Sequence, residues 1–312
     1  MTHASPDPHL LERIEAGAVE MARGAGDILA RHFGKTISVE YKDKKQSDPV
    51  SEADHETQAF LVGEIARLFP DHDTVGEEDD KAKDTAAGAL PDFVWVLDPL
   101  DGTKNFLAGV PTYASSIGIL YRGKPVAGAI FVPWPTGGGI VLHAREGHPA
   151  CVDAQPLPLL DRPEPRGNAL AALPAAAWRN FKVKKALHGK TGEVRVTGSL
   201  AYEMALVAYG RLQYMVTTGP MLWDVAAGAA IVAGAGGASA VARKRTLVAG
   251  LQTAQWTLLD SFVPDWNHAT KKDLREWSHP MVSGSKGVVN ALMQNLTFGA
   301  RWKPRLGRRR PG

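Results

Sequence analysis

The amino-acid sequence predicts a mixed α/β fold, and three features of its hydrophobic pattern support this. A long amphipathic helix opens the chain, a run of paired strands occupies its middle, and strands alternate with helices after residue 168. The 312 residues, 44% of them hydrophobic, can bury a sizeable core in one large domain or two closely joined ones. This composition excludes a disordered protein.

The N-terminal part predicts two helices, each followed by a short strand. Caps, prolines and glycines give the expected bounds: a helix over residues 7–34, a strand over 36–41, a helix over 51–70 and a strand over 74–78. Ser51 and Asp54 have the spacing of a capping box at the start of the second helix. A capping role explains Asp54 without any catalytic function.

The stretch FVWVLDPLDGTKNF, residues 93–106, is the feature around which the chain is organised. Its bulky apolar run predicts a buried strand, and Pro99 is expected to end the hydrogen-bond ladder of that strand. Gly102 and Thr103 are expected to open a turn or short helix, where free backbone N–H groups can hold an anion. Asp98 and Asp101 flank the proline and can face one pocket.

Carboxylate oxygens are hard ligands, which suit Mg²⁺ or Mn²⁺ better than zinc. The central stretch therefore combines a metal site with an anion site, and phosphate is the anion that most often requires both. Its two acids are three residues apart, which excludes the Asp-x-Asp-x-Thr turn of phosphatases with an aspartate nucleophile. The sequence contains no glycine-rich nucleotide loop, no His-Glu-x-x-His and no Gly-x-Ser-x-Gly.

The later part of the chain predicts an antiparallel run followed by alternating elements. The expected elements are strands over residues 113–120, 125–132 and 139–143, then a strand over 169–173, a basic helix over 178–188, a strand over 193–196, a helix over 200–209, a strand over 211–216, a helix from 223 and a terminal helix over 288–296. Residues 238–280 give no clear pattern. Their tryptophans, Trp256, Trp266 and Trp277, predict a satellite core.

Four prolines between residues 153 and 166 predict a linker and a domain boundary. We expect an N-terminal α+β half over residues 1–155 that carries most metal ligands, and a C-terminal α/β half over residues 156–300 that contributes Asp224 and substrate contacts. Residues 301–312 form a basic tail that is expected to be disordered. The net charge of the chain is +3, so the rest carries −3 once the six basic residues of this tail are removed.

The sequence predicts a cytoplasmic protein without a membrane span. A single cysteine, Cys151, excludes an intramolecular disulfide framework, and the first seventeen residues lack the apolar core of a signal peptide. The 18 uncharged residues between Asp224 and Arg243 are mostly alanine and glycine, which indicates a tightly packed soluble helix and turn. Nucleic-acid binding is not expected, except through the basic tail.

Four acidic residues are candidate ligands of a two-metal site: Glu77, Asp98, Asp101 and Asp224. Each also has a structural explanation. Glu77 can be a solvated loop acid, Asp98 and Asp101 can form turns, and Asp224 can favour the positive end of its helix. The spacing alone leaves both interpretations open.

The segments that contain these acids resemble the inositol monophosphatase family of Mg²⁺-dependent, lithium-sensitive phosphatases. Four segments match in order: residues 48–54 (DPVSEAD), 76–78 (GEE), 95–106 (WVLDPLDGTKNF) and 223–237, which begins WDVAAG and ends AGG. The resemblance covers about residues 8–237, and afterwards only 280–292. It implies a layered αβαβα sandwich of the inositol monophosphatase and fructose-1,6-bisphosphatase type, usually a homodimer.

The resemblance also implies a role for each matched residue. One metal would be held by Glu77, Asp98 and the Leu100 carbonyl, and a second by Asp98, Asp101 and Asp224. Two or three Mg²⁺ ions are implied, with Mn²⁺ as an alternative, and the phosphate would bind Gly102 and Thr103. A loop lysine points to Lys42, although Lys44 and Lys45 stand in the same loop. The acid that closes the first motif points to Asp54.

The implied reaction is hydrolysis of a phosphate monoester by in-line attack of a metal-activated water, without a phosphoenzyme. Thr103, hydrogen-bonded to Asp54, would orient that water and help deprotonate it, and Glu77 would assist. The alternatives are a histidinol-phosphate or 3'-phosphoadenosine 5'-phosphate phosphatase on the same scaffold. A non-catalytic member that binds an anion or RNA through its basic tail is a further alternative.

One position departs from the family pattern. Inositol phosphatases place a glutamate seven residues before the motif aspartate, where it accepts hydrogen bonds from substrate hydroxyls, and this chain has Thr217 there. A threonine is shorter and uncharged, so it replaces charge-assisted hydrogen bonds with at most a neutral one. We therefore expect a weakened preference for inositol 1-phosphate, unless a side chain from residues 238–280 supplies the acceptor.

Overall fold

The computed structural model describes residues 6–36, 38–41, 49–79, 89–135, 138–174, 181–246 and 252–298. Within these ranges the α-helices are α1 (Pro8–His32), α2 (Glu52–Leu68), α3 (Thr103–Leu107), α4 (Leu200–Ala208), α5 (Leu222–Gly234), α6 (Lys271–Glu276) and α7 (Lys286–Asn295). Short 3₁₀ turns lie at Lys185–Leu187 and Trp266–His268.

The strands form two large sheets and two small ribbons. They are β1 (Val39–Tyr41), β2 (Pro49–Ser51), β3 (Asp73–Gly76), β4 (Phe93–Asp101), β5 (Ala114–Tyr121), β6 (Lys124–Val132), β7 (Ile140–Arg145), β8 (Cys151–Val152), β9 (Gln155–Pro156), β10 (Leu170–Ala172), β11 (Phe181–Val183), β12 (Glu193–Arg195), β13 (Tyr214–Thr217), β14 (Gly237–Thr246), β15 (Gln252–Leu258), β16 (Met281–Ser285) and β17 (Leu296–Phe298).

The first large sheet has seven strands in the order β3-β4-β5-β6-β7-β8-β9, antiparallel except for the parallel pair β3 and β4. The second has six strands in the order β12-β10-β13-β16-β14-β15. Its strands β12, β10 and β13 are parallel, and the remaining pairs are antiparallel. The ribbons pair β1 with β2 and β11 with β17.

These elements stack in five layers, which confirms the expected αβαβα sandwich. Helices α1 and α2 cover one face of the seven-stranded sheet, and α4 and α5 lie between its other face and the six-stranded sheet. Helix α7 packs against β14 and β16 on the far side. One apolar core lies beneath α1 and α2, a second surrounds α4 and α5, and a third lies beneath α7.

The middle core contains buried residues from both sides of residue 155, including Val96 and Ile130 before it and Met204 and Met215 after it. Because burial of apolar side chains is the main source of folding stability, the residues before and after position 155 stabilise the same core. The division of the chain at residues 155 and 156 stays a prediction.

A pair of glycines allows α5 to approach the seven-stranded sheet closely. Gly118 of β5 and Gly128 of β6 are direct cross-strand partners, and both face the first turns of α5. A Cβ atom on Gly118 would lie 2.7 Å from the Cβ of Ala226, and one on Gly128 would lie 2.6 Å from the backbone oxygen of Ala227. Any side chain at either position would therefore push α5 outward.

The expected end of β4 at Pro99 is wrong. Asp98 pairs with Ser116 and Asp101 pairs with Ala114, so the strand continues to Asp101 through an irregularity. Proline has no N–H to donate, but a β-bulge leaves extra residues out of the ladder and so accommodates it.

The basic helix expected over residues 178–188 is wrong for the part that the structure describes. Residues 181–183 form β11, and a 3₁₀ turn follows. Phe181 is buried while Lys182 and Lys184 are exposed. This alternation has the period of a strand, so the charges that suggested a helix occupy one face of a ribbon. Residues 175–180 lie outside the described ranges.

Residues 238–280 contain most of β14 and all of β15 and α6. Residues 247–251, between β14 and β15, lie outside the described ranges. The tryptophans are buried as expected but belong to two cores: Trp256 lies beneath α7, and Trp266 and Trp277 join the middle core. Of the described helices, none is long and apolar enough to cross a membrane. The uncharged stretch after Asp224 is divided between α5 and β14.

We predict that Gly128→Ala lowers the free energy of unfolding by about 1–3 kcal/mol, because backbone atoms of α5 must move to admit the methyl group. The matched control is Gly63→Ala, at an exposed position of α2 where a Cβ atom meets nothing within 4 Å. There alanine should raise stability by roughly 0.5–1 kcal/mol, since it has the higher helix propensity. Urea unfolding measures both changes, and equal effects of the two substitutions would contradict the packing argument.

Candidate active site

Three aspartates from two elements converge where β4 ends and α5 begins. Asp98 and Asp101 lie on β4, and Asp224 lies in the first turn of α5. Each offers one carboxylate oxygen, and these three oxygens lie within 4.8 Å of one another. Such a set of hard oxygen ligands can hold a divalent cation such as Mg²⁺ or Mn²⁺.

The bulge in β4 explains why Asp98 and Asp101 face the same side. In a regular strand, residues three apart point to opposite faces. Here Pro99 and Leu100 together stand opposite Ser115 alone, so one extra residue restores the common face. The Leu100 N–H donates to Asp98 Oδ1 at 3.1 Å, which fixes that carboxylate within the bulge.

Hydrogen bonds from neighbouring elements orient the other two carboxylates. Asp101 Oδ2 accepts from the Ser199 hydroxyl at 2.8 Å and from the Ala201 N–H at 2.6 Å, both at the start of α4. Asp224 Oδ2 accepts from the Met221 N–H at 2.8 Å. The Ser116 hydroxyl donates to the Trp223 carbonyl oxygen at 3.0 Å and so ties the start of α5 to β5. Hydrogen bonds within the protein therefore orient these carboxylates.

The electrostatics of this cluster disfavour three negative charges. Burial raises the pKa of Asp98 well above its usual value, and the charges of Glu77, Asp101 and Asp224 raise it further. Burial also raises the pKa of Asp101 to about 7, against the lowering effect of its hydrogen bonds from Ser199 and Ala201. The pKa of Asp224 is raised by burial and by the Asp101 charge. A divalent cation would supply the missing positive charge, so the residues fit a metal site.

Glu77 lies in the turn after β3, where its N–H donates to the Leu97 carbonyl oxygen at 3.1 Å. Its charge acts on Asp98, Asp101 and Asp224, but its carboxylate is not in the close group of three oxygens. The structure thus brings Glu77 to the edge of the cluster, and its role as a ligand stays a prediction.

Gly102 and Thr103 begin α3 directly after Asp101. Gly102 has φ = +96°, and a Cβ atom there would lie 3.0 Å from the Thr112 carbonyl oxygen and 3.1 Å from the Ser199 Cβ. Only glycine suits this conformation and this space. The first N–H groups of a helix have no carbonyl partner within it, so this turn can bind an anion beside the aspartates.

Asp54 serves both the helix cap and the site. Its Oδ2 accepts from the Ser51 N–H at 2.8 Å and the Ser51 hydroxyl at 2.6 Å. Its Oδ1 lies 3.4 Å from Thr103 Oγ1, which also lies 3.1 Å from the Leu100 carbonyl oxygen. The cap therefore fixes Asp54 so that its second oxygen reaches Thr103.

Thr217 is 5% exposed at the end of β13, where it pairs with Met281 of β16. It precedes the short loop that leads to Asp224, so it lies close to the cluster along the chain. Its role in substrate binding stays a prediction. Lys42, Lys44 and Lys45 lie outside the described residues.

Sequence reasoning did not identify the support that the start of α4 gives to Asp101. Ser199 caps α4, and the Gly198-Ser199 pair before an apolar run is a signal that could have indicated this. Behind it, the buried Glu203 accepts from the Thr197 N–H at 3.1 Å and the Thr197 hydroxyl at 2.8 Å. Burial raises the pKa of Glu203.

Asn105 links this loop to α3. Its side-chain N–H₂ donates to the carbonyl oxygens of Thr112 at 2.7 Å and Thr197 at 2.8 Å. One amide thereby joins the turn that follows Asp101 to the loop that precedes Ser199, on two sides of the aspartate cluster. No sequence pattern pointed to this contact, because its partners are backbone atoms far apart in the chain.

Comparisons with known proteins agree with this geometry. The sequence model of the inositol monophosphatase family matches residues 10–263. The chain is 32% identical over 227 residues to Nus factor SuhB of Xylella fastidiosa (strain Temecula1 / ATCC 700964), covering 70% of this chain and 78% of that protein. It is 34% identical over 230 residues to inositol monophosphatase 3 of Solanum lycopersicum, covering 70% and 82%.

Among solved structures, the extragenic suppressor protein suhB from Bartonella henselae has a similar fold. The two chains superpose with a TM-score of 0.66 over 90% of this chain and 97% of that one, at 23% sequence identity. At this identity the similarity shows the fold alone.

The raised pKa values predict a pH-dependent response to Mg²⁺. Without metal, the stability contributed by Asp101 is fully present below about pH 4, and it is lost as pH rises through its folded-state pKa of about 7. A cation reverses that loss. A group with a pKa of about 7 is roughly one-tenth deprotonated at pH 6, so Asp101 alone should make the apparent Mg²⁺ affinity about tenfold tighter at pH 8 than at pH 6.

Thermal unfolding in EDTA and across a Mg²⁺ titration at both pH values gives these affinities. Asp101→Asn is the control, because it removes one titrating carboxylate and should reduce the pH dependence to the part that Asp98 and Asp224 contribute. An equal Mg²⁺ affinity at pH 6 and pH 8 in the unmodified protein would contradict this assignment.

Proposed function

Because this chain belongs to the inositol monophosphatase family and clusters three aspartates, we propose that it is a Mg²⁺-dependent phosphomonoesterase of small sugar, inositol or related alcohol phosphates. The observation that carries the proposal is the aspartate cluster itself. Buried carboxylates that raise one another's pKa values destabilise a protein unless a cation or protons neutralise them, so such a cluster favours a function that requires a cation.

In this proposal Asp98, Asp101 and Asp224 hold the metal, with Glu77 and the Leu100 carbonyl as further ligands. When bound, Mg²⁺ activates water and neutralises negative charge on the phosphate and on the leaving oxygen. Hydrogen bonds from Leu100, Ser199, Ala201 and Met221 orient the three carboxylates within the protein itself. Such pre-organisation supplies much of the rate in phosphoryl transfer.

Proton transfer from the attacking water is assigned to Thr103 and Asp54. The Thr103 oxygen can accept a hydrogen bond from that water while its own proton points to Asp54 Oδ1, 3.4 Å away. Because Ser51 already occupies the other oxygen of Asp54, the carboxylate is held ready to receive this proton. A general base of this kind contributes about a hundredfold or more. The backbone N–H groups of Gly102 and Thr103 bind the phosphate.

The alcohol part of the substrate is less restricted than in inositol phosphatases with a glutamate at the Thr217 position. Thr217 is short and nearly fully buried, so it offers ring hydroxyls no charged acceptor. We infer that inositol 1-phosphate is not strongly preferred over other sugar and alcohol phosphates. Histidinol phosphate and 3'-phosphoadenosine 5'-phosphate are alternative substrates for the same site. Lithium inhibition, a homodimer and a cytoplasmic location are further parts of the proposal, by analogy with the family.

A second candidate function is a binding role without catalysis. It is favoured by the 32% identity to a protein described as a Nus factor. This role would not require the aspartate cluster, whereas the chain retains all three aspartates together with Glu77, Thr103 and Asp54. The intact set supports the phosphatase as the primary function.

Phosphate release from a panel of inositol, sugar, histidinol and nucleotide phosphates tests the proposal. We expect activity that Mg²⁺ supports and EDTA removes. Asp98→Asn should lower kcat/KM by roughly a hundredfold or more, since it removes a charge from the cluster. The same variant should unfold at a higher temperature in EDTA, because it also removes a source of repulsion.

The control is Asp92→Asn, which breaks an exposed pair with Arg122 (2.8 Å) outside the site and should leave kcat/KM within about twofold. No activity on any compound of the panel, or full activity of Asp98→Asn at saturating Mg²⁺, would refute the proposed function.

A further inference from the structure

Helix α6 lies beyond the part of the chain that the family model matches, yet it contacts the turn that carries Glu77. It packs against β3 and projects Arg275, a residue only 8% exposed, towards that turn. Arg275 Nη1 donates to the Gly76 carbonyl oxygen at 3.2 Å, and Nη2 donates to Asp79 Oδ2 at 2.8 Å. One guanidinium therefore binds the turn on both sides of Glu77, at Gly76 directly before it and at Asp79 two residues after it.

The same turn is held by a small network that centres on Asp79. Its Oδ2 also accepts from the Gly76 N–H at 2.7 Å, and its Oδ1 accepts from the Gln58 side chain of α2 at 2.6 Å. The Gln58 side chain packs closely on Gly76, where a Cβ atom would lie 2.4 Å from Gln58 Nε2. Asp79 therefore links the turn to Gln58 of α2 on one side and to Arg275 of α6 on the other.

This network opposes an electrostatic force. The charge of Glu77 raises the pKa values of Asp98, Asp101 and Asp224, so in the absence of a cation the four acids repel one another. Glu77 lies on a short turn, which this repulsion would displace more easily than a strand or helix. A planar guanidinium with two fixed hydrogen bonds is well suited to resist that displacement, and it also offsets the charge of Asp79.

We propose that Arg275 is a positioning residue that holds the Glu77 turn against the aspartate cluster and thereby sets the affinity of the site for divalent cations. The inference rests on the proposed function. Arg275 acts through the Gly76 backbone and Asp79, and the cation is bound by the carboxylates. Residues that orient metal ligands in this way commonly change metal affinity by 10–100-fold when replaced.

A purely structural role for Arg275, in which it only fastens α6 to β3, predicts a different result. Lys271 of the same helix provides the matched control. Its ammonium group pairs with Asp73 Oδ1 at 2.6 Å, so it also joins α6 to β3 but does not touch the turn. Loss of either contact loosens the helix, whereas only loss of Arg275 removes hydrogen bonds to the turn that carries Glu77.

The test is Mn²⁺ binding to the metal-free full chain, measured from the electron paramagnetic resonance signal of free Mn²⁺. We expect Arg275→Met to weaken Mn²⁺ binding roughly tenfold or more and Lys271→Met to change it less than about twofold. Arg275→Lys keeps the charge but cannot make both hydrogen bonds, so its affinity should fall between those of Arg275→Met and the unmodified protein. It also serves as the test if Arg275→Met does not fold.

A double-mutant cycle identifies the route of the effect. If Arg275 acts through Glu77, adding Arg275→Met to Glu77→Gln should weaken Mn²⁺ binding less than about twofold further. The inference is overturned if Arg275→Met and Arg275→Lys bind Mn²⁺ as tightly as the unmodified protein, if Lys271→Met weakens binding equally, or if the effects in the cycle multiply. An unmodified protein that binds no Mn²⁺ would refute the proposed function and the inference together, whereas the other outcomes concern Arg275 alone.

Discussion

One carboxylate oxygen from each of three aspartates lies within 4.8 Å of the others, and the burial of Asp98 together with the neighbouring charges disfavours three negative charges there without a cation. An isolated buried charge is costly enough that proteins normally neutralise or avoid it. This chain instead brings three acids together from a strand and a helix of different layers. The sandwich provides the rigid support that such a cluster requires, because its two sheets enclose the helix that carries Asp224.

The support is built from packing and capping features that also stabilise local elements of the fold. The Gly118 and Gly128 pair lets α5 lie close to the seven-stranded sheet, and the bulge at Pro99 turns Asp98 and Asp101 to one side. The cap of α2 fixes Asp54, and the cap of α4 fixes Asp101. The glycine pair, the bulge and the two helix caps each stabilise a local element. The same hydrogen bonds or contacts also set the position of a carboxylate. Stability and site geometry are therefore linked in this protein.

The sequence pointed to the three aspartates that the structure brings together but only to part of the geometry that unites them. The apolar run before Asp98 marked a strand, and Ser51 with Asp54 marked a helix start, because these signals are local. The bulge was missed because proline normally ends a ladder, and only pairing with β5 shows that the strand continues. Ser199 and Asn105 were missed because their partners are distant in sequence, at Asp101 and at backbone oxygens of two loops. Residues 238–280 gave no clear pattern because their buried residues belong to different cores: Trp256 lies beneath α7, whereas Trp266 and Trp277 join the middle core.

The central claim is that the aspartate cluster is a binding site for divalent cations, and crystals grown with Mn²⁺ test it most directly. The anomalous scattering of manganese locates the ion independently of any assay. The account predicts an anomalous peak within coordination distance of the carboxylates of Asp98, Asp101 and Asp224. Strong manganese peaks elsewhere on the protein, with none at these three residues, would contradict it.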